Sequence, residues 1–444
     1  MMAFLTQACQ EFLEAKPEKK LAILTSTGDA QVLLNNTTVF NLGHPSEGVI
    51  SSDDLYVTYD DWMASRTLTE KNAYVWDANV FNDNYRNSWS LPYTTVYNSN
   101  IVLDAVENNE LSFNHTQELN DIKGQALFFR AYSFFNLLQL FAEPWSVDGE
   151  NDKGIVLRLT SDFNIPSVRA TLKESYDQVI HDAEEAYSLL NETSEISSRP
   201  NKVAVLAFLA RVYLSMEEYS RALNYVDRVL DLKNDLLDYN KADGSIANPF
   251  ERFNQEVIFH AVLGAPLMLR PHITKVDTVL YRTYEENDLR KLLYFKDNDN
   301  GTYSFRGSYD GSDIFFSGLT VEEMYYIKAE CMARIGRFDE ALLILSDLLE
   351  KRWLKKDGLT TYEIPPFSDD NEILTYILNE RRKGLLFRGT RWSDLRRLNK
   401  DPRFSKILKR KLGEEEFMLE PNHNRYVFPI PLEIIKMTGM EQNK

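Results

Sequence analysis

A mainly α-helical fold, with tetratricopeptide-like helical pairs as its scaffold, is predicted by three observations. In "AVLAFLARVYLSMEEYSRALNYVDRVLDL" (204–232), Leu206, Leu209, Ala210, Tyr213, Tyr219, Ala222, Val226 and Val229 occupy the positions such pairs use. "MYYIKAECMARIGRFDEALLILSDLLEKRW" repeats the pattern with Tyr325, Ala329, Met332, Gly336, Phe338, Ala341, Leu345 and Leu348. A third stretch, Ala126 to Phe141, is apolar nearly all round and needs cover on several sides, so it is central to the core.

From about 10 to 70, "NNTT", "GHPSEG" and "SSDD" punctuate short apolar pieces, which reads as loop with one or two short helices. "YRNSWSLPYTTVYNSNIVLDAVEN" opens the helical scaffold, and the apolar helix with Arg130 in its middle follows. An unpaired charge there is costly, so Arg130 is expected to meet a buried carboxylate. "TLKESYDQVIHDAEEAYSLL" and "NEILTYILNERRKGLLF" add looser helical partners, and the pairs stack as a right-handed scaffold over about 90–235 and 318–400. Ala210 and Ala222 let paired helices approach, while Gly336 sits where the inter-helix turn needs positive φ. Between them, about 235–318, "EVIFHAVL", "TYSFRG" and "DIFF" read as short strands of an irregular insertion, with "DNDNG" as a hairpin turn.

The net charge of −17 argues against a general nucleic-acid binder, which needs clustered lysine and arginine over a wide face. Two cysteines cannot form a disulfide framework. Cys331 lies in an apolar helical pattern and reads as a structural thiol. Cys9 follows Ala8 and a short apolar piece, like the tail of a bacterial lipoprotein signal whose start is missing. Lipid attachment and an ordinary thiol are both open readings on the residues alone. No run of eighteen apolar residues predicts a membrane helix.

The sequence carries no HExxH, GxSxG, P-loop, GxGxxG or metal-spaced cysteine pair, and its six histidines are scattered. "KDNDNGTYSF" departs from an EF-hand loop because Gly301 comes a position too early, so a turn is the reading. Neither catalysis, nor a metal, nor a cofactor is expected. Loop aromatics beside amides and acids stand out instead. "SSDDLYVTYDDWMASRT" and "NAYVWDANVFNDNYRNSW" offer Trp62, Tyr74 and Trp76 as rings, with Asn79, Asn82 and Asp83 as polar groups. Flat rings stack on the apolar faces of sugars and planar polar groups take their hydroxyls; the competing reading is that the rings pack onto the first helical pair.

"ERRKGLLFRGTRWSDLRRLN" (380–399) is strongly basic in an acidic chain. Its arginines alternate with core-facing positions, and Arg391 precedes Asp394 by three residues. Arginine suits bidentate pairing with carboxylates, so Arg381, Arg382, Arg391, Trp392 and Asp394 are expected to form an internal clamp rather than an anion site.

That stretch resembles the C-terminal signature of the SusD/RagB-like family, surface nutrient-binding lipoproteins of Bacteroidetes. "KGQALFFRAYSFFNLLQLFAEPW", "SRPNKVAVLAFLARVYLSMEEYSRAL", "YEENDLRKLLYF" and "RYVFPIPLEIIKMTGMEQN" resemble further family segments, in order along nearly the whole chain. The resemblance implies one domain over 9–444 after a signal remnant at 1–8, and acylation of Cys9. It also implies a non-catalytic, lid-like binding protein at the outer-membrane surface that caps a SusC-type TonB-dependent transporter; the resemblance does not choose the ligand, and an oligosaccharide is the leading expectation. Family ligands include peptides as well as glycans, and its ligand-contacting residues lie in variable loops. An intracellular tetratricopeptide adaptor and a helical glycosidase are the readings from other classes.

Overall fold

The computed structural model describes residues 24–81 and 87–443. Helix dominates them, and strands occur only as two-stranded antiparallel pairs. The chain opens with α1 (Thr27–Leu34), α2 (Thr37–Phe40), α3 (Glu47–Ser51), β1 (Leu55–Tyr56), α4 (Tyr59–Ala64) and α5 (Leu68–Tyr74). This is more helix than the loop-like composition suggests. The short helices start on side-chain caps: Ser26, Thr58 and Thr67 each accept a bond from an amide of the first turn.

The scaffold follows. α6 (Ser90–Glu107) and α7 (Thr116–Phe141) pack as a pair, and after β2 (Lys153–Val156) and β3 (Arg169–Thr171) α8 (Leu172–Leu189) covers α7 from another side. A capping box of Thr171 and Glu174 starts α8. Arg130 of α7 meets Asp182 of α8 as expected, and Phe128, Tyr132 and Phe135 of α7 all touch Phe208. α9 (Lys202–Ser215) with α10 (Tyr219–Leu232), and α13 (Val321–Arg334) with α14 (Phe338–Leu349), are the two repeat pairs; α10 packs on α13. Ala210 and Ala222 are fully buried, and Gly336 has φ +84° at the turn between α13 and α14.

The insertion between the pairs holds β4 (Val257–Phe259), β5 (Lys275–Val276), α11 (Thr278–Arg282), α12 (Leu289–Tyr294), β6 (Phe295–Asp297) and β7 (Tyr303–Phe305). β6 and β7 form the hairpin that "DNDNG" predicts, and β4 pairs with β8 (Leu319–Thr320) at the mouth of α13. β9 (Lys355–Lys356) and β10 (Leu359–Thr360) form a further small pair. α15 (Asp370–Gly384) then packs on α13 so closely that a methyl group on Gly384 would collide with the Tyr326 ring. α16 (Arg391–Leu398), the hairpin β11 (Leu408–Leu412) and β12 (Glu415–Leu419), and α17 (Leu432–Thr438) complete the chain. The β11–β12 hairpin is hidden in the sequence because its inward-facing residues are Leu408, Arg410 and Leu412, an alternation interrupted by a charge.

The basic stretch spans α15 and α16, and its arginines are mostly buried. Arg397 meets both oxygens of Glu330 at 2.5 and 2.7 Å, and Asp394 accepts from Arg381 at 3.0 Å and Arg397 at 2.9 Å. Arg391 reaches Asp53 at 2.7 Å instead of its helical neighbour Asp394, and Arg382 reaches Asp54 at 2.9 Å. Arg396 donates to the carbonyls of Leu138, Gln139 and Ala142, capping the C-terminal end of α7, where the helix dipole favours a cation. Burial pushes its guanidinium down to about 10, against the opposing influence of Tyr176 and Glu143. Trp392 stacks on Tyr426 with ring centres 4.9 Å apart.

Candidate functional site

The site begins where the first helices meet the insertion. β1 pairs with β5, setting Leu55 against Val276 and Tyr56 against Lys275. Glu70 of α5 accepts a bond from the Met268 amide at 2.9 Å, and Lys275 lies 3.9 Å from Asp61 of α4. These contacts fix α4 and α5 against the insertion loops.

At this junction a pocket of about 300 Å³ is lined by Glu47, Thr67, Thr69, Glu70, Asn87 and Ser88, with Gly264–Pro266 on the insertion side and His44 at one wall. Ser88 donates its hydroxyl to Glu47, and the Ser46 amide approaches the same carboxylate at 3.3 Å. Burial pushes the Glu47 carboxyl up to about 7, with the Glu70 charge adding to the effect, so it holds a proton over much of the acidic range. Burial pushes the His44 imidazole down to about 4, and its ring Nε2 faces the Phe40 carbonyl at 3.4 Å. The walls therefore offer hydroxyls, an amide and two carboxyls, the groups that take ligand hydroxyls or amines.

α4, which precedes the pocket's Thr67 in the chain, carries two aromatic rings. Tyr59 is 48% exposed and lies 6.2 Å from the Trp62 ring centre. Trp62 is half-buried: its indole N–H donates to the Lys71 carbonyl at 3.2 Å, and the Lys71 ammonium sits 5.6 Å over the ring. On the insertion, Tyr281 and Tyr303 stack with ring centres 3.5 Å apart.

The other rings expected to meet a ligand lie elsewhere. Tyr74 and Trp76 are in the core, at 2% and 3% exposure. The guanidinium of Arg410 lies 3.7 Å from the Tyr74 ring centre and 4.7 Å from that of Trp76. The Tyr74 hydroxyl accepts from the Val57 amide, and the Trp76 indole donates to the Ser51 carbonyl at 2.9 Å. With their faces covered, these two rings hold the segment in place; they correct the expectation that both stack on a sugar. Asn79 is exposed and borders a separate cavity of about 370 Å³ beside His423 and Arg425. Asn82, Asp83 and Cys9 lie outside the described residues. Sequence reasoning did not single out Glu47, Thr67, Thr69, Glu70, Tyr281 or Tyr303. The hydroxyl-rich "RTLTE" beside Trp62 was the available signal.

No helix among the described residues is long and apolar enough to cross a membrane. The fold is a helical-pair scaffold with a polar pocket where its first helices meet the insertion, an architecture of the binding-protein kind. The family profile described as starch-binding and associating with the outer membrane matches residues 11–214, and the SusD family profile matches 321–444. A SusD-like protein of Formosa agariphila is 25% identical over 384 residues, 70% of this chain and 72% of the relative. A SusD superfamily protein from Bacteroides thetaiotaomicron superposes with a TM-score of 0.77 at 21% identity, covering 94% of this chain and 100% of its own. A laminarin-binding SusD-like protein superposes at 0.67 and 16% identity, over 94% and 98% of the two chains. The chain belongs to the SusD/RagB-like family.

Proposed function

We propose that the protein captures an oligosaccharide at the junction pocket, without transforming it, and passes it to a SusC-type TonB-dependent transporter. In this reading it sits on the cell-surface face of the outer membrane, anchored through a lipid on Cys9, with residues 9–444 acting as one domain. Support comes from the family profile's starch-binding and outer-membrane description and from the fold shared with a laminarin-binding protein. The observation that carries the glycan assignment is the pocket of hydroxyls and carboxyls, in a region of the chain whose α4 leaves the Tyr59 ring exposed and the Trp62 ring half-buried. Asn79, Asn82 and Asp83 remain part of this proposal as further polar contacts for the ligand, Asn79 from the separate cavity it borders.

A second reading, peptide capture, is favoured by Glu47 and Glu70, whose buried carboxyls suit a ligand amine. Calorimetry with a panel of neutral glycans and of short peptides separates the two. Glycan binding that weakens at least tenfold in Trp62→Ala is the expected result. Binding of peptides alone overturns the glycan assignment, and turnover of a bound glycan overturns the non-catalytic one. A diacylglyceryl mass on Cys9 in protein from the native host tests the anchor, and co-purification with a transporter tests the partner.

A further inference from the structure

Buried carboxyls follow a rule in this chain, and two of them break it. Asp182 meets Arg130, Glu256 meets Arg352, Glu323 meets Arg211 and Glu330 meets Arg397. Every other buried carboxyl outside the junction pocket, among the described residues, likewise has an arginine at 3.3 Å or closer. Glu47 and Glu70 are each 6% exposed and share the wall of that pocket, yet neither has a cation partner among the described residues. No lysine or arginine is among the residues that line it. His44 on the same wall is uncharged at neutral pH, because burial holds its imidazole down at about 4.

Both carboxyls also keep an oxygen free. Glu47 Oε2 accepts from the Ser88 hydroxyl and the Ser46 amide, and Glu70 Oε2 accepts from the Met268 amide at 2.9 Å. The Oε1 atom of each accepts no hydrogen bond among the described residues, yet neither is sealed off. Both keep solvent-accessible surface, and on side chains so deeply buried that surface belongs to the cavity they line. A proton meets part of the missing positive charge: burial and the neighbouring Glu70 charge raise the Glu47 carboxyl to about 7 from an ordinary 4.5. A cation between the two side chains supplies that charge directly and offsets the cost of keeping both carboxylates out of water.

A metal ion matches this wall poorly, since no three histidine, cysteine, aspartate or glutamate side chains among the described residues come together to hold one. An ammonium matches it well: its three N–H donors suffice for both free carboxylate oxygens and one hydroxyl. Thr67, Thr69, Asn87 and Ser88 complete the wall with hydroxyls and an amide, groups that take the hydroxyls of a sugar ring. A captured peptide commonly pairs its backbone with a strand edge, and no residue of β1–β12 lines this pocket. Resting on the reading of the pocket as a glycan site, we propose that its ligand is an amino sugar with a free, unacetylated amine, whose ammonium sits between Glu47 and Glu70.

The test is calorimetry near pH 6.5 with the glucosamine trimer and its N-acetylated counterpart, which differ only at the amine, beside the panel of neutral glycans. The expected result is at least tenfold tighter binding of the amine, with that advantage reduced in Glu47→Gln and in Glu70→Gln. A chain of net charge −17 attracts cations generally, so an advantage that survives intact in both variants overturns the proposal. Binding of sugars with no gain from the amine overturns it too and leaves the glycan reading standing, whereas binding of no sugar in the panel overturns both. Triglycine, whose only cation is its N-terminal amine, is the peptide arm: its binding in place of the sugars, weakened in both variants, assigns the ammonium to a peptide and overturns the amino sugar. If Glu47→Gln does not fold, Glu70→Gln decides together with a crystal structure of the wild type and the glucosamine trimer. An amine nitrogen within hydrogen-bond reach of both carboxyls supports the proposal, and a trimer seated elsewhere overturns it.

Discussion

Arg130 Nε and Nη2 meet the two carboxylate oxygens of Asp182 at 2.7 and 2.8 Å, joining α7 to α8 inside the core. Arg130 also donates to Asn100 of α6 at 3.0 Å, so one guanidinium ties three helices together. Removing one partner strands the other charge in low dielectric. Asp182→Ala should therefore cost about 3–5 kcal/mol in denaturant unfolding, while the double replacement Arg130→Met with Asp182→Leu should cost clearly less. Equal losses in the two variants would show that the pair acts through packing alone.

Burial pushes Glu47 up to about 7 from an ordinary 4.5, and its sign in pH dependence follows directly. Between those values the folded protein binds the extra proton, so Glu47's contribution falls as pH rises, by roughly 3 kcal/mol over the interval. His44, pushed down to about 4 by burial, acts in the opposite sense: its contribution is lost as pH falls below 6.5. The two nearly cancel in the acidic range, which conceals both in the wild type. Glu47→Gln should unmask the histidine. Relative to wild type, its stability should climb by roughly 3 kcal/mol from pH 4.5 to 7.5 in urea titrations. A pH-independent difference would mean that Glu47 titrates like a solvated carboxylate.

Trp62 and Trp76 are the same residue type fourteen positions apart, yet they should respond differently to mutation. Trp76→Ala opens a hole beneath Arg410 and should cost about 3–5 kcal/mol of stability. Trp62→Ala, on a half-exposed ring, should leave unfolding nearly unchanged and lower ligand affinity. Unfolding curves and calorimetry on both variants separate the roles.

These tryptophans also mark how far the sequence could be read. The repeat pairs are legible because Ala210, Ala222 and Gly336 encode close helix approach and a left-handed turn within a few residues of one another. Arg130 is legible because a charge in an all-apolar helix requires a partner. The fate of Tyr74 and Trp76 is not local: what covers them is Arg410, 336 residues after Tyr74. Arg410 in turn points inward because Tyr74, Ile50 and Ser52 offer it carbonyls. The pocket is assembled from α3, α5 and the loop at Gly264, segments that share no sequence pattern. Residue type identifies a ring that could stack, and only tertiary contacts decide whether it has a free face.

Asp53 carries the last prediction, because three cations converge on it from the far end of the chain. Arg391 holds both carboxylate oxygens at 2.7 and 2.9 Å, Lys406 reaches it at 2.8 Å, and Arg382 at 3.1 Å. Burial alone would raise its carboxyl; Arg391, Arg382 and Lys406 override this and hold it well below the usual carboxylate range. A depressed folded value means stability that is present above about pH 4 and lost on acidification below it. Asp53→Asn should lose about 3–5 kcal/mol at pH 7, and the loss should shrink as wild type and variant are compared at progressively lower pH. Lys406→Met should cost only about 0–1 kcal/mol, since that ammonium is half-exposed and screened. Hydrogen exchange locates the effect: in Asp53→Asn the amides of α3 and α16 should lose protection together, because Asp53 is the joint between the segment after α3 and the arginine helices. Loss confined to one of them would mean that the two segments are held by apolar packing, with the ion pairs only filling the space between.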